Sequence, residues 1–351
     1  MDSRLRGNDA GVVMRILWML LLWISAAQAQ VASLPAMRAG QVSVSGLSSG
    51  AYMAVQFEVA FSRSVMGAGV IAGGPYFCSQ GSLFTATTSC SCTSDFFTCR
   101  VRAGGTRVND LIAMTDWFAA SHTIDPTSAL AGHRVWMFSG SADSVVPQPV
   151  MNDLQSYYRH YIDANRIAYK RSLNAEHAMP TDSYGNSCAT LGSPYINNCN
   201  YDAAGELLNW IYGPLAARNS GPLTGRFIAF DQSEFIALPT WHGMADFGYL
   251  YVPPSCDSSG GQGCKLHVVF HGCLQDPDDI GTTFIRRAGY NAWADFNRLM
   301  ILYPQTSATY ANPNACWDWF AYDDTRYAQK SGRQMAAVKR MVDRLTGLTP
   351  P

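Results

Sequence analysis

The sequence carries little charge, and what it carries is balanced. Lys and Arg total 25, Asp and Glu total 26, and together they make up only 15% of 351 residues, for a formal net charge of −1. No basic run stands out, so the electrostatic footprint of a nucleic-acid binder is missing. No internal repeat and no Ser/Thr/Pro-rich or Gly/Ser-rich linker is visible, so a spacer leading to a trailing binding module is not expected. Long apolar runs are missing apart from Ile16 to Ile24. That run falls short of the roughly 20 apolar residues of a membrane span. Arg15 precedes it, and Ala27-Gln28-Ala29 follows with the small-residue pattern of a cleavage site. Residues 1–29 therefore read as a secretory signal peptide, with Met14 as a possible true start and a mature chain beginning near Gln30.

What is present suits an exported globular enzyme. Hydrophobic residues make up 48% of the chain, enough for one large core, and residues 30–351 read as a single catalytic domain without a separate substrate-binding domain. Ten cysteines fit an oxidising compartment, either extracellular or periplasmic. Cys188 with Cys199, and Cys256 with Cys264, are close enough in sequence to staple local loops. Cys78, Cys90, Cys92 and Cys99 crowd one segment. Cys90 and Cys92 are too close to bridge each other, so two crossing or nested bridges are expected there. A zinc site at this cluster is disfavoured, because it lacks nearby histidines and a paired C-x-x-C pattern.

From Gln41 onward, strand-like apolar runs alternate with helical stretches. Strands are expected at 41–45, 68–72, 135–138, 168–173, 227–230, 249–252, 266–270 and 300–303. Helices are expected at 49–61, 108–120, 147–163, 201–212, 284–298 and 326–345. This alternation predicts an α/β fold, a mostly parallel sheet flanked by helices.

The first strand runs into Gly46-Leu47-Ser48-Ser49-Gly50, and a helix follows at once. G-x-S-x-G between a strand and a helix is the nucleophile elbow. Small neighbours allow a sharp turn that lifts the serine Oγ out of the sheet. Ser48 is the candidate nucleophile, and the backbone N–H of Ser49 one oxyanion donor. A serine nucleophile needs a base, and the base needs an orienting carboxylate. Asp143 lies in the loop after the strand at 135–138, and His177 in the loop after the next strand, in the order serine, acid, histidine. The other histidines fit less well: His160 falls in a helix, His267 inside a strand, and His122, His133 and His242 in loops without strand-end placement. Glu176 is a possible substitute acid, although adjacent loop residues seldom face each other. His271-Gly272-Cys273 ends the strand at 266–270, as the second oxyanion element does in such hydrolases. It usually precedes the serine. Here it follows the whole series, which predicts a circularly permuted chain whose final helix precedes the nucleophile strand in space.

These residues resemble the extracellular poly(3-hydroxybutyrate) depolymerases with a circularly permuted α/β-hydrolase domain. The resemblance is carried by Gly46–Met53, by Pro194-Tyr195-Ile196-Asn197-Asn198-Cys199 and the following Asn200-Tyr201-Asp202, by His271-Gly272-Cys273, by Tyr303-Pro304-Gln305, and by Asn314-Ala315-Cys316-Trp317-Asp318-Trp319. It implies Ser48, Asp143 and His177 as the triad, and the amides of Ser49 and Cys273 as the oxyanion hole. It also implies a Cys273–Cys316 bridge and Trp317 lining the substrate crevice. The activity implied is hydrolysis of a polyester or its oligomers, by a monomer with no cofactor, no metal, no nucleic-acid partner and no stable membrane association. A feruloyl or acetyl esterase acting on plant polysaccharides shares part of this pattern. A binding protein that has lost catalysis is a third reading, opposed by the intact triad.

Overall fold

Six consecutive buried residues, Val42–Leu47, form strand β1 at the middle of the main sheet. A strand buried on both faces needs parallel neighbours on each side and helices above and below. The computed structural model, which describes residues 32–94 and 98–348, has that arrangement. The signal-peptide reading of residues 1–29 lies outside the described residues.

After β1 comes α1 (Ser49–Ala60), mostly apolar apart from Gln56 and Glu58 and buried along its whole length. The chain continues through β2 (Gly67–Ile71), α2 (Leu83–Thr88), α3 (Val108–Ala120), β3 (Arg134–Phe138), α4 (Gln148–Tyr161) and β4 (Ile167–Lys170). A small sheet follows, made of β5 (Met179–Thr181), β6 (Asn186–Ser187) and β7 (Ile196–Asn198), and then α5 (Ala203–Tyr212). The remaining elements are β8 (Arg226–Asp231), β9 (Phe247–Val252), α6 (Pro254–Asp257), β10 (Lys265–Phe270), α7 (Pro277–Ile280), α8 (Thr283–Arg287), α9 (Tyr290–Phe296), β11 (Leu299–Tyr303) and α10 (Arg333–Thr346).

The main sheet has eight strands in the order β4-β3-β2-β1-β10-β11-β9-β8. The six from β4 to β11 are parallel, and β9 and β8 join antiparallel at one edge. The chain thus enters at the centre, walks to one edge, restarts at the far edge with β8 and β9, crosses to place β10 beside β1, and fills the gap between β9 and β10 with β11. Read from β8 instead, the same strands give the order of an α/β-hydrolase sheet, so the fold is that fold circularly permuted. The amides of Met37 and Ala39 bond to the carbonyls of Arg344 and Leu345 at 3.1 and 2.9 Å, which sets the end of α10 against the approach to β1. Two apolar layers cover the sheet, one supplied largely by α1, α3, α4 and α10, the other by α5, α8 and α9.

Three expectations need correction. The helix expected at 284–298 is two, because Gly289 takes φ 96° and starts α9 on a new axis. The helix expected at 326–345 begins only at Arg333, because the Asp324 carboxylate gathers the amides of Arg326 (2.9 Å) and Arg333 (3.2 Å) into a compact turn before it. The crowded cysteines pair in tandem, Cys78–Cys90 and Cys92–Cys99, and the bridges neither cross nor nest. Short helix α2 folds the chain back so that Cys90 points inward onto Cys78, while Cys92 stays half-buried and faces the next loop. The structure also joins Cys188 to Cys199, Cys256 to Cys264, and Cys273 to Cys316. Among the described residues no helix is long and apolar enough to cross a membrane.

Alternate residues of β1 and β10 build a polar chain inside the α5/α9 layer. The His267 imidazole lies between Ser43 Oγ at Nδ1 (2.6 Å) and Ser45 Oγ at Nε2 (2.7 Å). The Ser43 hydroxyl donates to Tyr212, which donates to the Leu266 carbonyl, so Ser43 must accept from His267 Nδ1–H. Nε2 then accepts from Ser45, and Ser45 from the Tyr290 hydroxyl at 2.8 Å. Complete burial pushes the His267 pKa down to about 3, so the ring is neutral in the folded protein. An unfolded histidine binds a proton near pH 6.5, so stability from this group is fully present above that pH and is lost as pH falls from it toward 3. The unfolding free energy of wild type relative to a His267→Gln variant should therefore be lower at pH 5 than at pH 8, by about 2 kcal/mol. Urea titrations at the two pH values measure it. An equal difference at both would mean that His267 is not held neutral.

Candidate active site

The elbow is built by two close backbone approaches. Ser48 caps α1 with φ 58° and ψ −123°, a conformation that costs a non-glycine residue about 1–3 kcal/mol. A Cβ on Gly46 would stand 2.2 Å from the Gly50 carbonyl oxygen, and a Cβ on Gly50 would stand 2.3 Å from the carbonyl oxygens of Phe270 and His271. Only glycine fits either place. The tightness of the turn is therefore imposed jointly by β1, α1 and the end of β10. The Ser48 amide donates to the Ile71 carbonyl at 3.0 Å, and its own carbonyl accepts from Ala51 and Tyr52 at 2.9 and 3.0 Å.

Asp143 and His177 come together from the loops after β3 and β4. His177 Nδ1 lies 3.1 and 3.0 Å from the two Asp143 carboxylate oxygens, and both residues are buried. Asp143 Oδ1 also accepts the amides of Val145 (3.0 Å) and Val146 (2.7 Å), which fixes the carboxylate before it meets the imidazole. Glu176 is not the orienting acid. Its Oε2 accepts the amides of His177 (2.6 Å) and Ser144 (3.2 Å), bracing one loop against the other. With Nδ1 turned to Asp143, the remaining nitrogen, Nε2, has no protein partner among the described residues. Ser48 and His177 line the same cavity. Of the other histidines, His133 pairs with buried Glu58 at 3.0 Å and His242 with Asp323 at 2.9 Å.

The loop after β10 brings the third component. The Cys273–Cys316 bridge ties it to the segment that carries Trp317. His271 Nδ1–H donates to the Gly272 carbonyl at 2.7 Å, and Nε2 accepts the Thr306 amide at 3.2 Å. Burial pushes the His271 pKa down to about 4, which keeps that ring neutral and able to serve in both roles. Neither the Ser49 amide nor the Cys273 amide has an acceptor among the described residues, and both residues line the cavity.

The cavity measures about 380 Å³. Its lining includes Leu83, Ala86 and Thr87 of the disulfide-stapled segment, and Trp319 and Phe320, which pack against that segment. Tyr52 stacks on Trp319 with centroids 4.0 Å apart and donates from its hydroxyl to the Cys90 carbonyl at 2.5 Å. Trp317, expected in the crevice, is not on its surface. It is 0% exposed, and its indole N–H donates to the His271 carbonyl at 3.1 Å, so it props the loop after β10 from behind. The Trp-Asp-Trp sequence puts two indoles near the site, and Asp318 between them turns inward to accept the amides of Tyr322 and Asp324, both at 3.0 Å. That turn sends Trp319 to the cavity and Trp317 to the core. Sequence reasoning also missed Gln275, which lies in no marked motif, and gave no role to Tyr52, although Tyr52 falls within the matching segment Gly46–Met53. Among the described residues no group of three His, Cys, Asp or Glu side chains is placed to hold a metal ion.

No protein-family model matches this chain. Individual relatives do. The chain is 47% identical over 327 residues to a poly(3-hydroxybutyrate) depolymerase of Delftia acidovorans, an alignment covering 91% of this chain and 63% of the relative's length. It is 39% identical over 348 residues to a polyhydroxybutyrate depolymerase of Talaromyces funiculosus, covering 94% of this chain and 97% of the relative. The crystal structure of a PHB depolymerase from Penicillium funiculosum superposes with a TM-score of 0.80 at 38% identity, covering 91% of this chain and 100% of that one. A serine-to-alanine form of PHB depolymerase complexed with an R3HB trimer superposes with a TM-score of 0.81, with the same identity and coverage. On sequence and fold together, this chain belongs to the polyhydroxybutyrate depolymerase family.

Proposed function

We propose that this chain is a secreted serine esterase that hydrolyses ester bonds of poly(3-hydroxybutyrate) or its oligomers through an acyl-enzyme on Ser48. The observation that carries the reading is the His177–Asp143 pair, buried and doubly in contact at 3.0 and 3.1 Å, on the same cavity as a serine at a strained elbow. The relatives' names and the R3HB trimer bound to a similar structure support a 3-hydroxyacid ester as substrate. Five disulfides support export, and residues 30–351 are taken as the catalytic domain.

In this mechanism His177 Nε2 takes the proton of Ser48 as Oγ attacks the ester carbonyl. The oxyanion of the tetrahedral intermediate accepts from the amides of Ser49 and Cys273, two cavity-lining donors without another acceptor among the described residues. His177 returns the proton to the departing alkoxide and a free hydroxyl end leaves. Water then attacks the acyl-serine by the same route and releases the carboxylate. Asp143 holds Nδ1–H in place and stabilises the imidazolium that forms at each step. The largely apolar lining of the cavity lowers the local polarity, which strengthens each of these interactions.

Ser48→Ala should lower turnover of a soluble short-chain ester by roughly 10⁴-fold or more. Asp143→Asn should lower kcat by about 10³–10⁴-fold with a much smaller effect on KM, because the substrate does not touch the carboxylate. Steady-state kinetics on both variants measures this, and near-normal turnover in either would remove that residue from the mechanism. On a suspension of poly(3-hydroxybutyrate), wild type should clear turbidity and release 3-hydroxybutyrate while Ser48→Ala does not. Hydrolysis of the soluble ester without clearing, and release of ferulate from a feruloyl ester, would move the substrate to plant polysaccharides.

A further inference from the structure

Gln275 is almost completely buried, yet it reaches the wall of the active-site cavity. Its Oε1 accepts the Gly272 amide at 2.7 Å. Its Nε2 donates to the carbonyls of Pro194 at 2.9 Å and Tyr195 at 3.2 Å. The Tyr195 carbonyl is shared: it also accepts the Met179 amide at 2.9 Å, two residues beyond His177. One side-chain amide therefore touches the oxyanion loop, and through Tyr195 it reaches the loop that carries the base.

We propose that Gln275 is a positioning residue that holds the Cys273 amide of the oxyanion hole in register with His177. The two peptide groups flanking Gly272 are gripped separately. Gln275 holds the N–H of the first, and His271 Nδ1–H holds the C=O of the second at 2.7 Å. The second peptide is the one whose N–H belongs to Cys273. A glycine at this point gives the backbone wide rotational freedom, so the direction of that N–H depends on both grips. Gly272 also leaves no room for bulk, since an added Cβ would lie 3.0 Å from Gln275 Oε1 and 3.3 Å from Ser48 Cβ. The chemistry required at 275 is one planar group offering an acceptor to Gly272 and donors to two carbonyls, and a carboxamide supplies both. Methionine fills similar space and supplies neither. Ionised glutamate supplies the acceptor alone, and protonated glutamate regains one donor.

The catalytic part of this inference rests on the esterase reading, so the test includes a readout that does not. Gln275→Met and Gln275→Glu are compared with wild type by melting temperature, by kcat and KM on a soluble short-chain ester, by the rate of Ser48 labelling with a fluorophosphonate, and by amide hydrogen exchange across residues 271–275. In folded Gln275→Met, kcat should fall on the order of 100-fold, the scale of a small misplacement of a catalytic group. KM should stay within about twofold, labelling should slow in parallel, and exchange at 271–275 should speed up. For Gln275→Glu, the ratio of variant to wild-type kcat should rise as pH is lowered, because protonation restores a donor. The ratio divides out any pH dependence common to both proteins. A folded Gln275→Met with kcat within about twofold of wild type would overturn the proposal. So would a loss confined to KM, a pH-independent Gln275→Glu ratio, or unchanged exchange at 271–275. If wild type itself neither hydrolyses the ester nor is labelled, the esterase reading fails, and the exchange result still decides whether Gln275 holds the loop.

Discussion

The site depends on one close approach. The first turn of α1 lies so near the end of β10 that Gly50 has no room for a Cβ beside the carbonyls of Phe270 and His271. This contact brings the serine elbow and the oxyanion loop together, although 222 residues separate Ser48 from Phe270 along the chain. It also confines Ser48 to a conformation that it would not adopt alone. The strain is maintained by the burial of β1 and α1, in which every residue from Val42 to Leu47 and from Ser49 to Ala60 is shielded from solvent. A core of that extent over-determines the turn, so the strain persists in the folded state.

Circular permutation changes which contacts are local. The serine, acid and histidine loops follow β1, β3 and β4 in a continuous walk across the sheet, while the oxyanion loop arrives from the opposite edge. In the folded molecule these loops converge on one cavity, since the ends of β1 and β10 are neighbours whatever the chain order. Tethers between the loops hold them there. Cys273–Cys316 fixes the oxyanion loop to the segment after β11, Glu176 braces the acid and base loops, and Gln275 reaches from the oxyanion loop to the wall at Tyr195. The Gln275 bonds are buried or partly buried, where a hydrogen bond left unmade is costly, so they favour one arrangement over its alternatives.

Buried histidines divide their work by environment. His267 and His271 are sealed inside and kept neutral by burial, each donating through one nitrogen and accepting through the other. His133 sits against the Glu58 carboxylate, which raises its pKa against the opposing effect of burial. His177 alone combines a buried carboxylate at Nδ1 with a place on the cavity wall. Position in the sheet decides the role, since all four have the same imidazole.

The amino-acid sequence by itself determined the α/β alternation, the elbow at Gly46–Gly50 and the strand-end places of Asp143, His177 and His271-Gly272, because these are local patterns of period, turn and small residue. It also carried the sign of permutation, since His271-Gly272 stands after Ser48, Asp143 and His177 in chain order. Where local pattern was ambiguous, tertiary structure decided. Gly289 broke a helix that periodicity had continued, and Asp324 delayed the start of α10 by gathering amides from both sides of a turn. The four crowded cysteines paired in tandem because short helix α2 turns the chain back and brings Cys90 to Cys78, a fact of packing that spacing does not encode. Only the folded chain separated Trp317 from Trp319. Two residues apart, they point one into the core and one into the cavity, because which way each indole faces is set by the buried carboxylate of Asp318 and by what packs against the far side of the oxyanion loop.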